Sequence, residues 1–404
     1  KIEESLDVKA LVGYASDPDL LDRADAASAD MLVAVTNSDE VNMVACQVAH
    51  SLFNVPTKIA RIRNQSYLNP KWQNLFSREH LPIDITISPE IEIAKALGRR
   101  LEVPGTFEML PFANNKIRVL GTRLSDTCPV INTPLRQLTE LFPDLYITIL
   151  AVIRENKLFI PDPDDPLLEN DNIYFSVKED NVARAMLTFG HEEKEARHLI
   201  IVGGGQVGSN LAKIIESSNP NTRVKIIEFN KQRAEKIAAT MDKTIVINGD
   251  ALDTDILNEA NVKATETLIA VSNDDEVNIL SSLLAKNLGA DRTITLINNA
   301  IYAPLMGNLG IDVYMDPKET TVSTILQYIR RGKILGLHSI RNGEAEIIEA
   351  EVLDSSPISG KSINDMDLPD GIMIGAISRK NEVIMPRAAT LFHTGDKVVV
   401  LAKE

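Results

Sequence analysis

The stretch from His198 to Glu228 constrains the fold of this chain more than any other. An apolar run, Leu199–Val202, is typical of a buried parallel strand, and glycines follow it in the pattern G-x-G-x-x-G. A helical pattern comes next, and a second apolar run then ends on Glu228, about 20 residues beyond the last glycine. This order of strand, glycine turn, helix, strand and acid predicts the start of a dinucleotide-binding fold.

Each glycine of such a turn has a physical role, and the three glycines here are Gly203, Gly205 and Gly208. The first glycine permits a tight turn, the second lets a pyrophosphate approach the backbone, and the third lets helix and strand pack closely. Free N–H groups at the start of the helix would face the phosphates. Glu228 is placed to accept hydrogen bonds from a ribose diol and to repel a 2′-phosphate, so we expect a nucleotide with an unphosphorylated ribose.

The chain contains an internal repeat, because Val12–Asn42 and Asn248–Asn278 align without a gap. The alignment places Lys1–Leu11 opposite the helix and strand around Lys236–Ile247. We therefore expect the glycine turn of the first copy to precede Lys1.

In each copy, short β-rich runs alternate with helical stretches, which is typical of α/β domains. The predicted strands are Leu32–Val35, Thr57–Arg61 and Ile83–Ile87 in copy one, and Leu268–Val271 and Thr293–Ile297 in copy two. A small β-rich lobe with a hairpin (Ala151–Pro161 or Ala376–Pro386) follows each of these regions. The predicted fold class is α/β: tandem Rossmann-like, doubly wound parallel sheets, each followed by a small α+β lobe.

The same pattern predicts five segments. They are a nucleotide-binding domain over 1–112 that lacks its start, a small domain over 113–182, a linker over 183–196, a second nucleotide-binding domain over 197–336 and a second small domain over 337–404.

Each nucleotide-binding region ends at a proline followed by an apolar helical stretch, Ile91–Leu101 in copy one and Val322–Ile334 in copy two. A lone lobe has little left to bury such helices against, so we expect a partner lobe to cover them. The apolar stripes comprise Ile91, Ile93, Ala94 and Leu97 in the first helix, and Ile325, Leu326 and Ile329 in the second.

Polar residues follow several predicted strands, at the edge where open α/β sheets bind ligands. Asp250, with the backbone N–H of Ala251, would hold an adenine edge; the alternative is a helix N-cap by Asp250 or Asp253. Past the next strand, Ser272 and Asn273 would face the ligand while the following acids cap a helix.

The first copy repeats part of this arrangement, with Thr36 and Asn37 after a strand. Arg61 and Arg63 close the next strand, where a guanidinium suits a phosphate. A surface ion pair is the alternative for these arginines.

Composition restricts the class of protein further. The formal net charge of −15 argues against a nucleic-acid partner, and the two cysteines, Cys46 and Cys128, read as buried thiols of a reducing compartment. The histidines are scattered, so we expect no metal site, and no Ser-His-Asp, Cys-His or Lys-Tyr arrangement suggests catalysis. The nucleotide therefore looks like a regulator rather than a reagent.

At this point the sequence resembles a known family. The turn VGGGQVG, the sequence GDA at Gly249–Ala251 and the paired runs AVTNSDEVN and AVSNDDEVN are similar to KTN/RCK domains. The small lobes, with turns at Pro129 and Pro357 and an acid before the last strand, resemble the TrkA-C domain. Two such pairs are the arrangement of the TrkA family of bacterial Trk-system potassium uptake subunits, and the resemblance covers essentially the whole chain.

The resemblance implies a non-enzymatic cytoplasmic subunit that binds NAD(H) and ATP or ADP. Its partner would be a membrane potassium-translocating subunit of the Trk type, which it would gate from the cytoplasmic face of the inner membrane as a homo-oligomeric ring, expected to be a tetramer. The nucleotide contacts carried over by motif are, in copy two, Gly203, Gly205, Gln206, Val207, Gly208, Glu228, Asp250, Ala251 and Asn273, and, in copy one, Ala15, Thr36, Asn37 and Arg63.

Two other classes fit the glycine turn less well. An NAD-dependent oxidoreductase would need a catalytic base near the nicotinamide, which the sequence does not offer. A redox-sensing transcription regulator would need a winged-helix segment and a basic face, and the chain is acidic.

Overall fold

A computed structural model describes residues 7–142, 144–193, 195–329 and 333–403. The chain forms two compact units, Lys1–Glu90 and Ile91–Glu404. Among the described helices, none combines the length and apolar character required to cross a lipid bilayer.

The first unit is built on a parallel sheet in the order β1 (Met31–Ala34), β2 (Thr57–Arg61), β3 (Ile85–Ile87). These strands lie within two residues of the predicted ones. Helices α1 (Pro18–Arg23) and α2 (Asp39–Phe53) accompany the sheet. The prediction for Lys1–Leu11 lies largely outside the described residues.

An ion pair between a buried lysine and a more exposed aspartate fixes the start of β2. Lys58 is 1% exposed, and its Nζ lies 2.8 Å from the Asp84 carboxylate ahead of β3. Burial by itself would raise the pKa of Asp84, but hydrogen bonds from the Lys58 side chain and backbone outweigh it and lower that pKa. The pair therefore joins the N-terminal ends of β2 and β3.

Helix α3 (Pro89–Glu102) begins two residues before the boundary, so the second unit starts within this helix, at Ile91. The first small lobe follows it. The elements of this lobe are β4 (Thr106–Phe112), β5 (Ile117–Arg123), α4 (Leu135–Leu141), β6 (Ile147–Arg154), β7 (Lys157–Phe159), β8 (Asn172–Lys178) and α5 (Val182–Thr188). Its strands form an antiparallel sheet in the order β4-β5-β8-β6-β7.

The elements of the nucleotide-binding lobe of this unit are β9 (His198–Val202), α6 (Gln206–Ser218), β10 (Arg223–Glu228), α7 (Lys231–Ala238), β11 (Ile245–Asn248), α8 (Thr254–Glu259), β12 (Thr267–Ala270), α9 (Asp275–Leu288), β13 (Arg292–Leu296), α10 (Met306–Leu309) and β14 (Val313–Met315). The strands form a parallel sheet in the order β11-β10-β9-β12-β13-β14. The reversal between β9 and β12 makes it a doubly wound sheet, as predicted.

Helix α11 (Pro317–Ile329) precedes the second small lobe, whose strands are β15 (Ile334–Ile340), β16 (Ala345–Glu351), β17 (Ile372–Arg379), β18 (Glu382–Ile384) and β19 (Lys397–Lys403). These strands form a sheet in the order β15-β16-β19-β17-β18. The two small sheets share one core, in which Val119 and Leu150 of the first lobe pack with Ile347 and Val399 of the second.

The acid that precedes the last strand of each small lobe is a structural residue. Asp171 and Asp396 are each 1% exposed. Each carboxylate receives two hydrogen bonds of 2.8–2.9 Å from an arginine at the end of the preceding hairpin strand, Arg154 in one lobe and Arg379 in the other. This bidentate pair repeats in both lobes and locks the hairpin to the final strand.

Helix α3, which leaves the first copy, packs on the sheet of the second copy. Ile93, Ala94 and Leu97 are buried in one core with Leu199 and Ile201 of β9. The expectation that another lobe covers this stripe is thus confirmed for α3.

Three predicted boundaries are wrong. Residues 183–196 are not simply a linker, because Ala185, Met186 and Phe189 of α5 and its C-cap are buried in the core of the first small lobe. The charged surface of this helix concealed its short apolar face. In addition, β4 pairs with β5, so the first small lobe starts before residue 113, and Ile334 begins β15 rather than ending a helix.

Candidate functional site

The candidate site lies at the carboxyl edge of the parallel sheet in the second unit. The strands β9 and β12 are neighbours there, and the chain leaves them toward opposite sides of the sheet. Such a reversal opens a crevice, which is the usual ligand site of this architecture. The residues that follow β9, β10, β11 and β12 all meet at this edge.

The glycine turn fits tightly everywhere except at Gly205. A Cβ on Gly208 would stand 2.1 Å from the Gly203 carbonyl oxygen, which confirms the close packing predicted for that glycine. Gly203 has a φ of 100°, and a Cβ there would lie 2.8 Å from the Ser272 nitrogen. A Cβ on Gly205 would have nothing within 4 Å, so this backbone borders open space.

Helix α6 begins immediately after this open position, with Gly205 as its N-cap. Gln206 is exposed, whereas Val207 is half-buried against the core beneath the sheet. The N–H groups at the start of a helix carry partial positive charge and suit an anion in that space.

Glu228 ends β10 beside the turn and is 4% exposed. Its carboxylate accepts hydrogen bonds from the N–H groups of Gly204 (2.9 Å) and Asn230 (2.8 Å), and Arg233 Nη1 lies 3.4 Å away. The acid is therefore anchored to the glycine turn itself. Contact with a ribose remains a prediction, for which the remaining lone pairs of the carboxylate are suited.

Asp250 and Ala251 follow β11. Asp250 is exposed and accepts a 2.9 Å hydrogen bond from the Leu252 N–H, while Asp253 caps α8 by accepting from Asp255. The helix-cap alternative is thus correct for Asp253 and not for Asp250. Ala251 is buried, and the proposed hold on an adenine edge remains a prediction.

A buried amide that sequence reasoning missed shapes the loop after β12. Asn278 is fully buried, and its Oδ1 accepts from the Ser272 N–H at 2.8 Å. Its Nδ2 donates to the carbonyls of Ser272 and Leu296, both at 3.0 Å, which joins this loop to the end of β13. Asn273 is consequently held exposed at the edge of the crevice.

The acids after β12 divide their roles. Asp274 caps α9 by accepting from the Val277 N–H, as predicted. Asp275 is buried and instead accepts from the N–H groups of Asn298 and Asn299 at 2.9 and 2.8 Å, so it fixes the loop after β13. Its identity in both copies, as Asp39 and Asp275, was the available signal for this role.

Copy one repeats these hydrogen bonds within the first unit. Asn42 Oδ1 accepts from the Thr36 N–H (2.8 Å) and hydroxyl (2.7 Å), and its Nδ2 donates to the Arg61 carbonyl. The Thr36 hydroxyl is therefore used internally, while Asn37 is exposed. Ala15 is half-buried in the turn ahead of α1.

Arg63 follows β2, where Asp39 accepts hydrogen bonds from its N–H. Its Nε lies 2.8 Å from Glu90, so the predicted alternative of an ion pair holds in this structure. Two nearby polar atoms lack hydrogen bonds: Arg61 Nε and the second Glu90 oxygen are buried without a partner among the described residues. A phosphate contact for Arg63 remains a prediction.

The two cysteines take no part in the candidate nucleotide site. Cys46 and Cys128 are buried and unpaired with each other, and burial raises the pKa of Cys46 to about 12 despite nearby Lys58. Within the described ranges, no three His, Cys, Asp or Glu side chains are grouped to hold a metal ion.

Comparison with known proteins matches both halves of the repeat. A family model for the TrkA-N domain matches residues 1–89 and 199–317, and one for the TrkA-C domain matches residues 121–190 and 347–404. The Trk system potassium uptake protein TrkA of Azorhizobium caulinodans is 47% identical over 399 residues, covering 99% of this chain and 87% of that protein. The protein of the same name from Vibrio alginolyticus is 37% identical, with the same coverage.

Solved structures agree on the fold. The crystal structure of the GsuK RCK domain aligns with a TM-score of 0.58 at 17% identity, covering 100% of this chain and 84% of that one. The GsuK channel bound to NAD aligns with a TM-score of 0.60 at 17% identity, covering 100% and 70%. At this identity, the likeness establishes a shared architecture.

Proposed function

The chain belongs to the TrkA family of Trk system potassium uptake proteins, and from that premise we propose that it is a nucleotide-sensing subunit that gates a membrane potassium-translocating partner. The family is one of potassium uptake proteins and not of enzymes. The oxidoreductase and transcription-regulator alternatives are therefore set aside.

The observation that carries the nucleotide part is the open space at Gly205. It lies at the reversal of the sheet, at the start of α6 and beside Glu228. Backbone N–H groups there would bind a pyrophosphate, and Glu228 a ribose. The ligand would be NAD(H), with ATP or ADP as further adenine nucleotides; the GsuK channel bound to NAD has the same architecture.

The gating part rests on how the lobes are joined. The site sits on a sheet that is covered by α3 from the other copy. A ligand that favours one position of the α6 turn would shift the equilibrium between arrangements of these packed elements. We propose that several chains form a ring on the cytoplasmic face of the inner membrane and transmit this shift to the partner.

Gly205→Asp tests the proposal. The open space admits the new side chain, so the fold should persist, while its bulk and negative charge occupy the phosphate position. NADH binding measured by titration calorimetry should weaken at least about 100-fold, which is nearly 3 kcal/mol. The nucleotide response of potassium uptake should disappear in cells that carry only this variant.

Gly307→Asp is the matched control. Gly307 also has nothing within 4 Å of its Cβ position, but it lies in α10 after β13. This variant should bind NADH like the parent chain. Unchanged NADH affinity in a folded Gly205→Asp protein would refute the nucleotide site, whereas lost binding with an unchanged transport response would refute the gating role alone.

A further inference from the structure

A separate cavity of about 420 Å³ lies between α3 and α6 in the second unit. Its volume falls within the range of pockets for small organic ligands. The apolar part of its wall includes Leu101 of α3, Ala196, Leu199 of β9 and Ile214 of α6. These side chains belong to, or pack against, the core beneath the sheet, so this wall is firmly held.

Two donors on opposite helices lack partners at this cavity. Arg99 Nε from α3 and Asn210 Nδ2 from α6 are buried, and neither has a hydrogen-bond partner among the described residues. Leaving a buried donor unpaired is costly, and such groups are rare in folded proteins. Both residues line the same cavity from different helices, so an acceptor bound there could satisfy both donors.

The cavity is cationic although the chain is acidic overall. Lys95, Arg99 and Lys213 line it, against one acid, Glu102. The Glu102 carboxylate forms an ion pair with Arg118 at 3.0 Å, and Lys95 forms one with Glu92 at 2.8 Å. The net positive charge of the cavity therefore comes from Arg99 and Lys213.

The surroundings of Arg99 favour binding of an anion. Burial lowers the pKa of its guanidinium, and Arg100 lowers it further, although Glu108 opposes both. Glu108 itself is committed to Arg100, whose Nη2 lies 2.7 Å from its carboxylate. An anion beside Arg99 would reverse this destabilisation of the charged form.

We propose that this cavity binds an organic anion with an apolar body, its phosphate or carboxylate head on Arg99 and Asn210 and its body against Leu199 and Ile214. The site is distinct from the glycine turn. The ligand would lie between α3, which follows the first copy, and α6, which begins at the glycine turn of the second copy.

The test is titration calorimetry of the full chain with octyl phosphate, octanoate and octanol. The two anions should bind, and octanol, which has the same apolar tail and no charge, should bind at least about tenfold more weakly. Arg99→Gln should weaken octyl phosphate by a similar factor, and Asn210→Leu provides a second variant if the first does not fold. Arg136→Gln, which removes an exposed arginine paired with Asp164 in the first small lobe, is the matched control.

The outcomes separate this site from the nucleotide site. Octyl phosphate binding that is unchanged in Gly205→Asp and about tenfold weaker in Arg99→Gln supports the proposal, whether or not the nucleotide response of transport changes. Equal binding of octanol and octyl phosphate, absence of binding, or loss of binding in Gly205→Asp alone would overturn it.

A second experiment, sedimentation of the chain with lipid vesicles, distinguishes a membrane lipid from a soluble metabolite as the source of the anion. Sedimentation with vesicles of phosphatidylglycerol that depends on Arg99 would assign the head group to a membrane lipid. Binding of the free amphiphiles without vesicle binding would assign it to a soluble metabolite. Both results require Arg99, so vesicle binding that is unchanged in Arg99→Gln, with no binding of the free amphiphiles, would contradict the site.

Discussion

At the residue scale, buried polar side chains organise the candidate site more than the side chains predicted to touch a ligand. Asn42 and Asn278 each join two strand ends, and Asp39 and Asp275 each hold the next loop. Because every one of these groups is buried and bonded, the crevice is shaped before any ligand arrives. This preorganisation lowers the entropic cost of binding.

Glu228 should make the site prefer NADH to NADPH. A 2′-phosphate would meet a carboxylate that is held in place by Gly204 and Asn230. Arg233 lies 3.4 Å from that carboxylate and offsets part of the repulsion, so we expect a preference of about tenfold, or 1.4 kcal/mol. Calorimetric titration of both cofactors checks this, and Glu228→Gln should narrow the difference. Equal affinities in the parent chain would show that Glu228 does not face the ribose.

His338 should make stability depend on pH. Burial, together with Arg99 and Arg100, lowers its pKa from 6.5 to about 3. Below about pH 6.5 this histidine is protonated in the unfolded chain but stays neutral in the folded chain. The free energy of unfolding therefore falls as pH drops from about 6.5 toward 3. Because the residue keeps some exposure, we expect a loss of about 1 kcal/mol between pH 7 and pH 5 from this group.

Urea unfolding of the parent chain and of His338→Gln at the two pH values measures this contribution. The variant has no group to protonate at that position, so its stability should change less with pH. Parallel pH dependences in the two proteins would show that His338 takes up its proton in the folded state.

At the element scale, α3 is the clearest case of a helix whose partner lies elsewhere in the chain. Leu97 is fully buried in the core formed with β9 and α6. Gly98 follows it, and a Cβ there would approach Ile214 of α6 to 3.3 Å, so the two helices come close together at this point.

Leu97→Asp should destabilise the second nucleotide-binding lobe by several kcal/mol, because it buries an unpaired charge. Leu97→Met keeps an apolar side chain of similar volume and should cost less than about 1.5 kcal/mol. Thermal unfolding monitored by circular dichroism compares the two. Similar melting temperatures for both variants would mean that α3 does not cover this sheet in solution.

At the scale of the whole molecule, α11 carries an apolar stripe that we propose as a contact between chains. Its apolar stripe runs from Val322 through Ile325 and Leu326 to Ile329. Val322 and Ile329 are each 46% exposed, while Ile325 and Leu326 are half-buried. The stripe predicted from the sequence, Ile325, Leu326 and Ile329, is therefore present, and Val322 extends it by one turn. Among the described residues, Val322 and Ile329 leave its two ends exposed.

Val322→Asp combined with Ile329→Asp should dissociate the proposed ring, because each charge would be buried at the interface. Leu326 is a less suitable position because it is half-buried, so its substitution would also disturb the packing of α11 within the chain. Leu353→Asp, at a 39% exposed residue of the second small lobe, is the matched control. Light scattering should report a lower mass for the double variant only; an unchanged mass would exclude α11 from the interface.

The sequence by itself determined the features that depend on neighbouring residues. Glycine spacing, apolar runs and the repeat predicted the parallel strands, the tight turn at Gly203 and Gly208, and the hairpins of both small lobes. These follow from local backbone sterics and side-chain periodicity, which any short stretch displays.

Only the tertiary structure decided which surface covers each apolar face. Periodicity shows that Leu97 must be buried but not that β9 of the other copy buries it, and a charged exterior hid the apolar face of α5. The structure also decided that Glu228 bonds to the glycine turn and that Arg99 and Asn210 face one cavity. Such pairings join residues far apart in the chain, and a local pattern carries no record of its distant partner.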